Sequence, residues 1–227
     1  MSELFSIQLQ NRQQQGRDGV WLDLPTTTEQ VQAALRQIGI SSDNPQGLFI
    51  SGYFAEEEKR FAIPYNMVLA SNVDELNFLA SRLETLSAGE RAELNAALQA
   101  PQSELFSIGR ITDFPENVDY YVHLPDVHGP AQLGDYYLNR SGMVDMPEEW
   151  KGGIDTAQFG RYVAQQEQGA FTQYGYLVKS GDEWQKVHEG QPVPEEYRVL
   201  SFPAPEVLRD SANIPPPVQP ETEPQKV

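Results

Sequence analysis

The chain has 227 residues, no cysteine, and 33 acidic against 16 basic residues, giving a formal net charge of −17. Its length allows one large domain or two to three small ones with a buried core. The lack of cysteine excludes disulfides, thiol catalysis and thiolate metal sites, and it is typical of a reducing cytoplasm, where we expect the protein. The charge argues against DNA or RNA as a direct ligand, because binding phosphates needs Lys and Arg. No apolar run approaches about 18 residues and no charged-then-apolar leader begins the chain, so no membrane segment is predicted.

Residues 1–71 are predicted to form a small sheet with one helix. Apolar residues alternate or cluster in 4–10, 20–24 and 48–54, as in strands. Between the second and third strands, the segment 28–40 reads TEQVQAALRQIGI. Its apolar residues share one helical face, and its glycine is a stop signal.

Residues 72–112 change to a helical pattern. Asn72 can cap a helix whose leucines recur at helical spacing. Ser87 and Glu90 form the pattern of a capping box, and Pro101 would end the second helix. We therefore predict a short helical bundle in the middle of the chain.

Residues 113–202 are predicted to form a second sheet with helices. The segment 154–166 has helical spacing, with Ile154, Phe159, Tyr162 and Val163 as its apolar face. Four segments are predicted to be strands, namely 120–125, 170–179, 183–187 and 197–202. From 203 to 227 the composition becomes proline-rich and polar, which predicts a disordered tail outside the fold.

One short sequence occurs twice. Residues 2–7 read SELFSI and residues 103–108 read SELFSI again, each followed by a polar stretch and a segment ending in Leu-Pro. One interpretation makes both copies the opening strand of a sheet-plus-helix module. The other is that a short amphipathic peptide recurred by chance.

Motifs of catalysis are missing from the sequence. It contains no GxSxG, no phosphate-binding glycine loop and no HExxH. The nearest approach to a metal cluster is HLPDVH, residues 123–128, where the proline beside Asp126 disfavours a shared helical face. We therefore predict that the protein is not an enzyme and has no metal site and no cofactor.

More than half of the net charge lies in one stretch. Residues 113–200 carry 15 acidic and 6 basic residues, a net of −9, spread among aromatic and aliphatic residues as on a folded surface. This leaves solubility, a cation site or a basic partner as explanations. A dimer would carry twice the net charge of −17, or −34, which equals the phosphate charge of roughly 17 base pairs of B-form DNA.

The sequence resembles one known family on four segments. They are GVWLDLP at 19–25, VDELNFLASRLETL at 73–86, DYYVHLPDVHGPAQLGDYYLN at 119–139, and IDTAQFGRYVAQQEQGAFTQYGYL at 154–177. In this order they resemble the ArdA-type antirestriction proteins of conjugative mobile elements. The resemblance covers about residues 4–178, and its C-terminal part is the most specific.

The resemblance implies an elongated α+β protein of small antiparallel sheet-plus-helix modules flanking a short helical bundle. It implies a homodimer that mimics bent B-form DNA and occupies the DNA-binding groove of type I restriction–modification enzymes. We divide the chain accordingly into domains 1–71, 72–112 and 113–202 and a tail, 203–227.

The resemblance also implies site residues. The family's antirestriction motif falls on 133–150, which suggests as dimer contacts Leu133, Tyr136, Tyr137 and Val144. The carboxylates expected to replace phosphates are Asp113, Glu116, Asp119, Asp126, Asp135, Asp145, Glu148, Glu149, Asp155 and Glu167. The stretch after Tyr137 departs from the family pattern. That pattern is richer in acids there, whereas this chain reads LNRSG and contains Arg140.

Other functions stay open on the sequence. The same acidic surface could bind another basic nucleic-acid-binding protein, such as a CRISPR effector or a nucleoid protein. A carboxylate enzyme using a divalent metal is a second alternative, and an inert acidic structural protein is a third.

Overall fold

The computed structural model describes residues 4–14, 18–56, 61–101 and 103–205. Within these ranges the chain forms two three-stranded antiparallel sheets together with short and medium helices. The predicted α+β class, with small antiparallel sheets, is confirmed.

The N-terminal sheet is built from strands β1 (Phe5–Asn11), β2 (Val20–Leu24) and β3 (Leu48–Phe54), in the order β2-β1-β3. Helix α1 (Thr28–Gln37) packs against the sheet, and Thr27 caps it through a capping box with the third helical residue. Alternate residues of β1 are buried because successive side chains in a strand point to opposite faces. All four elements agree with the predicted positions.

The central part holds helices α2 (Tyr65–Leu69), α3 (Val73–Leu83), α4 (Ala88–Gln99) and α5 (Ile108–Thr112). Both predicted caps are present: each capping side chain accepts from the third backbone N–H of its helix, and a glutamate reaches back. The two longer helices are therefore confirmed, whereas the short helices α2 and α5 were not predicted.

The second copy of the repeated sequence is not a strand. In the first copy, Phe5 begins β1, which pairs with strands on both sides. In the second copy, residues 103–108 are fully described and form no strand, and the Ser107 side chain accepts from Arg110 N as the cap of α5. The interpretation of two opening strands is wrong. The same residues pair with neighbouring strands in the first copy, whereas in the second copy they lead into a helix.

The C-terminal sheet contains β4 (Tyr121–Leu124), β5 (Ala170–Thr172) and β6 (Gly175–Lys179), in the order β4-β6-β5. The single strand predicted over 170–179 is therefore a hairpin. Its turn ends at a glycine with φ +119°, a conformation that other residues rarely adopt.

Four helical segments lie between β4 and β5 in the chain. They are α6 (Pro130–Asp135), a π-helical turn (Tyr136–Arg140), α7 (Glu148–Lys151) and α8 (Thr156–Glu167). The π turn continues α6 directly, and its wider i→i+5 pattern includes the hydrogen bond from Ser141 N to Tyr136 O at 2.8 Å.

Helices α6 and α8 cross at two glycines. A Cβ atom on Gly160 would lie 1.8 Å from the Pro130 carbonyl oxygen, and one on Gly134 would lie 1.9 Å from that of Thr156. Only glycine permits so close a backbone approach. The packed face of α8 is therefore set by Gly160, and the predicted apolar face is wrong at Tyr162, whose side chain is 59% exposed.

The C-terminal sheet separates two hydrophobic clusters. Leu177 joins the larger cluster, which extends from Leu4 to Val199 and includes α3 and α4, while its neighbour Tyr176 packs in a small cluster with Leu133 and Val127. The larger cluster draws buried residues from all three predicted domains, and the proposed boundaries stay a prediction.

Beyond β6 the chain turns back over the central helices. The segments 183–187 and 197–202, which are described throughout, contain no strand, so both strand predictions there are wrong. Pro203, predicted to open the tail, is buried and its carbonyl oxygen accepts from Ser42 N at 2.9 Å. The rest of the predicted tail, from 206 onward, lies outside the described residues.

Candidate partner-binding surface

Six of the ten carboxylates proposed as phosphate replacements are exposed. They are Asp119, Asp126, Asp145, Glu148, Glu149 and Asp155. Two of them also have local roles. Glu148 Oε1 lies 2.6 Å from Lys151 Nζ, and Asp155 Oδ1 accepts from Gln158 N at the start of α8. A single capping or ion-pairing contact leaves part of an exposed carboxylate free for a partner.

Asp113 is buried and holds the backbone of a distant segment. It has no exposed surface, and its two oxygens accept from His188 N at 2.6 Å and from Glu189 N at 3.2 Å. A carboxylate without exposed surface cannot take the place of a phosphate for a partner, so Asp113 leaves the predicted set.

Glu116 and Glu167 are half-buried and bonded within the chain. Glu116 forms an ion pair with Arg82. Glu167 accepts from the Tyr137 hydroxyl at 2.5 Å and from the Tyr176 hydroxyl at 3.0 Å. Burial, together with this carboxylate, raises the pKa of both tyrosine hydroxyls. Glu167 therefore ties α8 to the π turn and to β6.

Asp135 is engaged by the π turn. Its Oδ1 accepts from Asn139 Nδ2 at 2.8 Å, and its Oδ2 accepts from Arg140 Nη2 at 2.7 Å. The hydrogen bond from Asn139 and then that from Arg140 lower the pKa of the Asp135 carboxyl group. Arg140 thus offsets the charge of one predicted phosphate replacement.

The residues suggested as dimer contacts differ in position. Leu133 is 0% exposed in the small cluster, whereas Tyr136 and Tyr137 are half-buried against that cluster and Val144 is half-buried in the loop after it. Because Leu133 has no exposed surface, it cannot contact a second copy directly and can only pack against the residues that would. The dimer itself stays a prediction.

A known protein family matches most of the length of this chain. The profile of antirestriction protein (ArdA) matches residues 15–178. The chain belongs to the ArdA antirestriction family. A comparison with curated proteins finds no match. The ArdA match includes the central helices, the C-terminal sheet and the π turn, and it stops within β6.

The ArdA segment exposes apolar side chains that the sequence did not single out. Met143 and Trp150 are 75% and 66% exposed, and they flank Asp145, Glu148 and Glu149 in the segment expected to hold the antirestriction motif. Large exposed apolar side chains are enriched at protein interfaces. The sequence MVDMPEEW, residues 143–150, could have drawn attention to them, since apolar residues there lie among three acids.

Two further charged residues escaped sequence reasoning. Arg110 is 8% exposed and joins Glu104 to Glu189, which lie far apart in the chain. Glu93 is half-buried, and burial, together with Glu90 and Asp119, raises the pKa of its carboxyl group to about 8. No local pattern marks either residue, because Glu189 and Asp119, which lie far along the chain, complete the two environments.

A metal site is not formed by the described residues. Across their ranges, no group of three His, Asp or Glu side chains could hold a metal ion. In the HLPDVH segment, His123 Nε2 lies 2.7 Å from the Tyr174 carbonyl oxygen. None of the helices in the described part of the chain has the length and apolarity needed to cross a bilayer.

Proposed function

We propose that this ArdA-family protein blocks type I restriction–modification enzymes in the cytoplasm by occupying their DNA-binding groove in place of DNA. It acts by binding alone, with no catalytic step and no cofactor. The observation that carries the proposal is the family match over 15–178 in a chain of net charge −17.

The electrostatic part of the proposal rests on the exposed carboxylates. The six exposed acids lie in the matched segment, on the surface after α5, around the π turn and at the start of α8. Such charges would meet Lys and Arg that otherwise hold phosphates, and both surfaces would release counterions. Binding should therefore weaken steeply as salt concentration rises.

A homodimer is the proposed active form. The exposed Met143 and Trp150 and the half-buried Tyr136 offer apolar area beside the acids. Burying that area between two copies would join two acidic surfaces into one longer surface. Alanine at Trp150 should then weaken dimerisation without lowering the free energy of unfolding of the monomer.

The test is a competition assay with a purified type I restriction–modification enzyme and a labelled duplex that carries its site. The protein is titrated at low and physiological salt, and its mass is measured by light scattering. Poly-glutamate at the same total charge serves as the control for nonspecific charge. We expect displacement of DNA near stoichiometric dimer, weakening with salt, and little displacement by poly-glutamate.

The opposite result would be informative. If a large excess at low salt displaces no DNA, groove occupation of type I enzymes is wrong. The same titration against a CRISPR effector and a nucleoid protein then tests whether another basic DNA-binding protein is the target.

A further inference from the structure

The segment that follows the ArdA match folds back across the whole molecule. We call residues 183–203 the C-terminal strap. It begins after β6, forms one 3₁₀ turn (Glu195–Tyr197), and otherwise has no regular structure among its residues, all of which are described. A segment without helix or strand must satisfy its backbone polar groups elsewhere. Side chains of the central helices supply many of these partners.

The strap is first anchored beside the C-terminal sheet. Asn117 is buried, and its amide donates to Gln185 O at 2.9 Å and accepts from Gln185 N at 2.7 Å. The neighbouring Trp184 ring packs edge-on against Tyr120, with ring centroids 5.1 Å apart.

The second anchor lies on α5. Arg110 Nε donates to both carboxylate oxygens of Glu189 at 3.2 Å, and its guanidinium lies over the Trp184 ring. Asp113 accepts from the backbone of His188 and Glu189, as described above. Asp113 has no exposed surface, so its carboxylate would lose both of these donors if the strap were displaced. Arg110 would lose Glu189 and keep its ion pair with Glu104.

The third anchor lies on α3. Phe78 contacts the His188 ring and the Tyr197 ring, with centroids 4.9 and 4.6 Å away. Asp74 Oδ1 accepts from both Val199 N and Leu200 N at 2.7 Å. Two backbone donors on one carboxylate oxygen fix the strap along the start of the helix.

The last anchors reach the N-terminal sheet. Asn77 joins three segments, because its Oδ1 accepts from Thr26 N at 2.7 Å while its Nδ2 donates to Tyr197 O at 3.0 Å. Gln32 Nε2 on α1 donates to the Ser201 hydroxyl at 3.1 Å. The strap thus contacts the C-terminal sheet region, helices α5 and α3 and the N-terminal module in turn.

We infer that the C-terminal strap is a brace that holds the N-terminal and C-terminal sheets at a fixed separation. Its anchors are spread over the three parts of the chain, and Asp113, Asn117 and Asn77 each lose at least one hydrogen bond if the strap is displaced. The consequence for binding rests on the proposed function: a protein that takes the place of a stiff duplex in a groove must keep a fixed shape, and a fixed separation of the two sheets avoids an ordering cost on association.

Distances between two spin labels test the brace directly. The chain has no cysteine, so Ala33→Cys on α1 and Gln166→Cys on α8, both exposed, provide the only two thiols. The variant Asp74→Ala/Glu189→Ala removes two anchors. Glu195→Ala/Glu196→Ala is the matched control, since it removes two exposed acids from the same strap. Asp74→Asn/Glu189→Gln keeps acceptor oxygens at both anchors.

We expect a broader distance distribution in the anchor variant only, with the amide variant close to the parent. An unchanged distribution in a folded anchor variant would overturn the brace. If that variant does not fold, hydrogen exchange on the unaltered protein decides. The brace requires the amides of His188, Val199 and Leu200 to exchange as slowly as those inside α3, and exchange as fast as at Asp182 would refute it. Neither readout needs a restriction enzyme, so failure of the proposed function is seen separately.

Discussion

At the scale of single residues, the carboxylates of this chain divide into two kinds. Asp113 and Glu167 accept hydrogen bonds from buried or half-buried partners and hold the fold together. Asp126, Asp145 and Glu149 are exposed to solvent. Formal charge counts the two kinds alike, whereas only the second is available to a partner. Substituting a carboxylate of the first kind should therefore lower stability, and substituting one of the second kind should weaken binding.

Replacing Asp113 by alanine should lower the free energy of unfolding by about 3 kcal/mol, because two half-buried backbone N–H groups lose a buried, charged acceptor. Asp119→Ala, at an exposed position nearby, should change it by less than about 0.5 kcal/mol. Urea unfolding followed by circular dichroism measures both. Equal stability of the two variants would show that Asp113 does not anchor the strap.

Glu93 should make stability depend on pH. Its pKa is about 8 in the folded protein against 4.5 ordinarily, because burial and then Glu90 and Asp119 disfavour the charged form. The folded state therefore keeps a proton that the unfolded state loses, and stability falls as pH rises from 4.5 through 8. Glu93→Gln carries no charge and should be more stable than the parent at pH 9, by about 1–2 kcal/mol after screening by solvent.

Urea unfolding of Glu93→Gln and the parent at pH 5, 7 and 9 measures this difference. The two curves should nearly coincide at pH 5 and separate as pH rises. Glu149→Gln, at an exposed position, is the control and should follow the parent throughout. A difference that is the same at all three pH values would exclude ionisation of Glu93 as its cause.

At the scale of elements, helix packing beside the antirestriction motif depends on backbone contact. The crossing of α6 and α8 at Gly134 and Gly160 leaves no room for side chains between the two backbones. The π turn that follows α6 carries Tyr137, which Glu167 on α8 holds by a hydrogen bond. The position of α8 therefore controls the surface on which the dimer contact is proposed.

Gly160→Ala should destabilise the protein by about 3 kcal/mol, since the added methyl would lie 1.8 Å from a backbone oxygen that cannot move alone. Gly89→Ala is the matched control in a helix, because nothing lies within 4 Å of its added methyl. The free energy of unfolding of that variant should rise by about 0.5 kcal/mol, because alanine reduces the entropy of the unfolded chain. If Gly160→Ala also gains stability in thermal or urea unfolding, the close crossing is wrong.

At the scale of the whole molecule, the proposed binding is a sum of many weak charge contacts. Each exposed acid contributes little alone, since single surface charges act through screened interactions. Steric fit in the groove then depends on how the two sheets are held relative to one another. The strap, which lies beyond the family match, is the part of this chain that we infer to hold them.

Neutralising two acids of the motif, as Asp145→Asn/Glu149→Gln, should flatten the salt dependence of binding to the restriction enzyme. The slope of log Kd against log salt should fall by roughly one per charge removed. Asp18→Asn/Asp43→Asn removes the same charge from exposed positions outside the proposed surface and should leave the slope close to the parent's. Fluorescence anisotropy across a salt series measures it. Abolition of binding by either pair would contradict a distributed surface.

The sequence by itself determined the elements whose signals are local. The capping residues Asn72 and Ser87 start α3 and α4, and strand alternation marks β1, because these signals involve atoms only a few residues apart. The family resemblance likewise rested on letters in order. Neither the burial of single acids nor the course of the strap is written in such local patterns.

Only the tertiary structure decided which charges are free and where the irregular segments go. Asp113 is buried because residues 75 and 76 positions later donate to it. The second SELFSI copy caps a helix because no strand pairs with it among the described residues. The strap is ordered by side chains from α3 and α5, with no periodicity of its own. In each case the deciding free energy comes from contacts between remote segments, which a local pattern of residues does not contain.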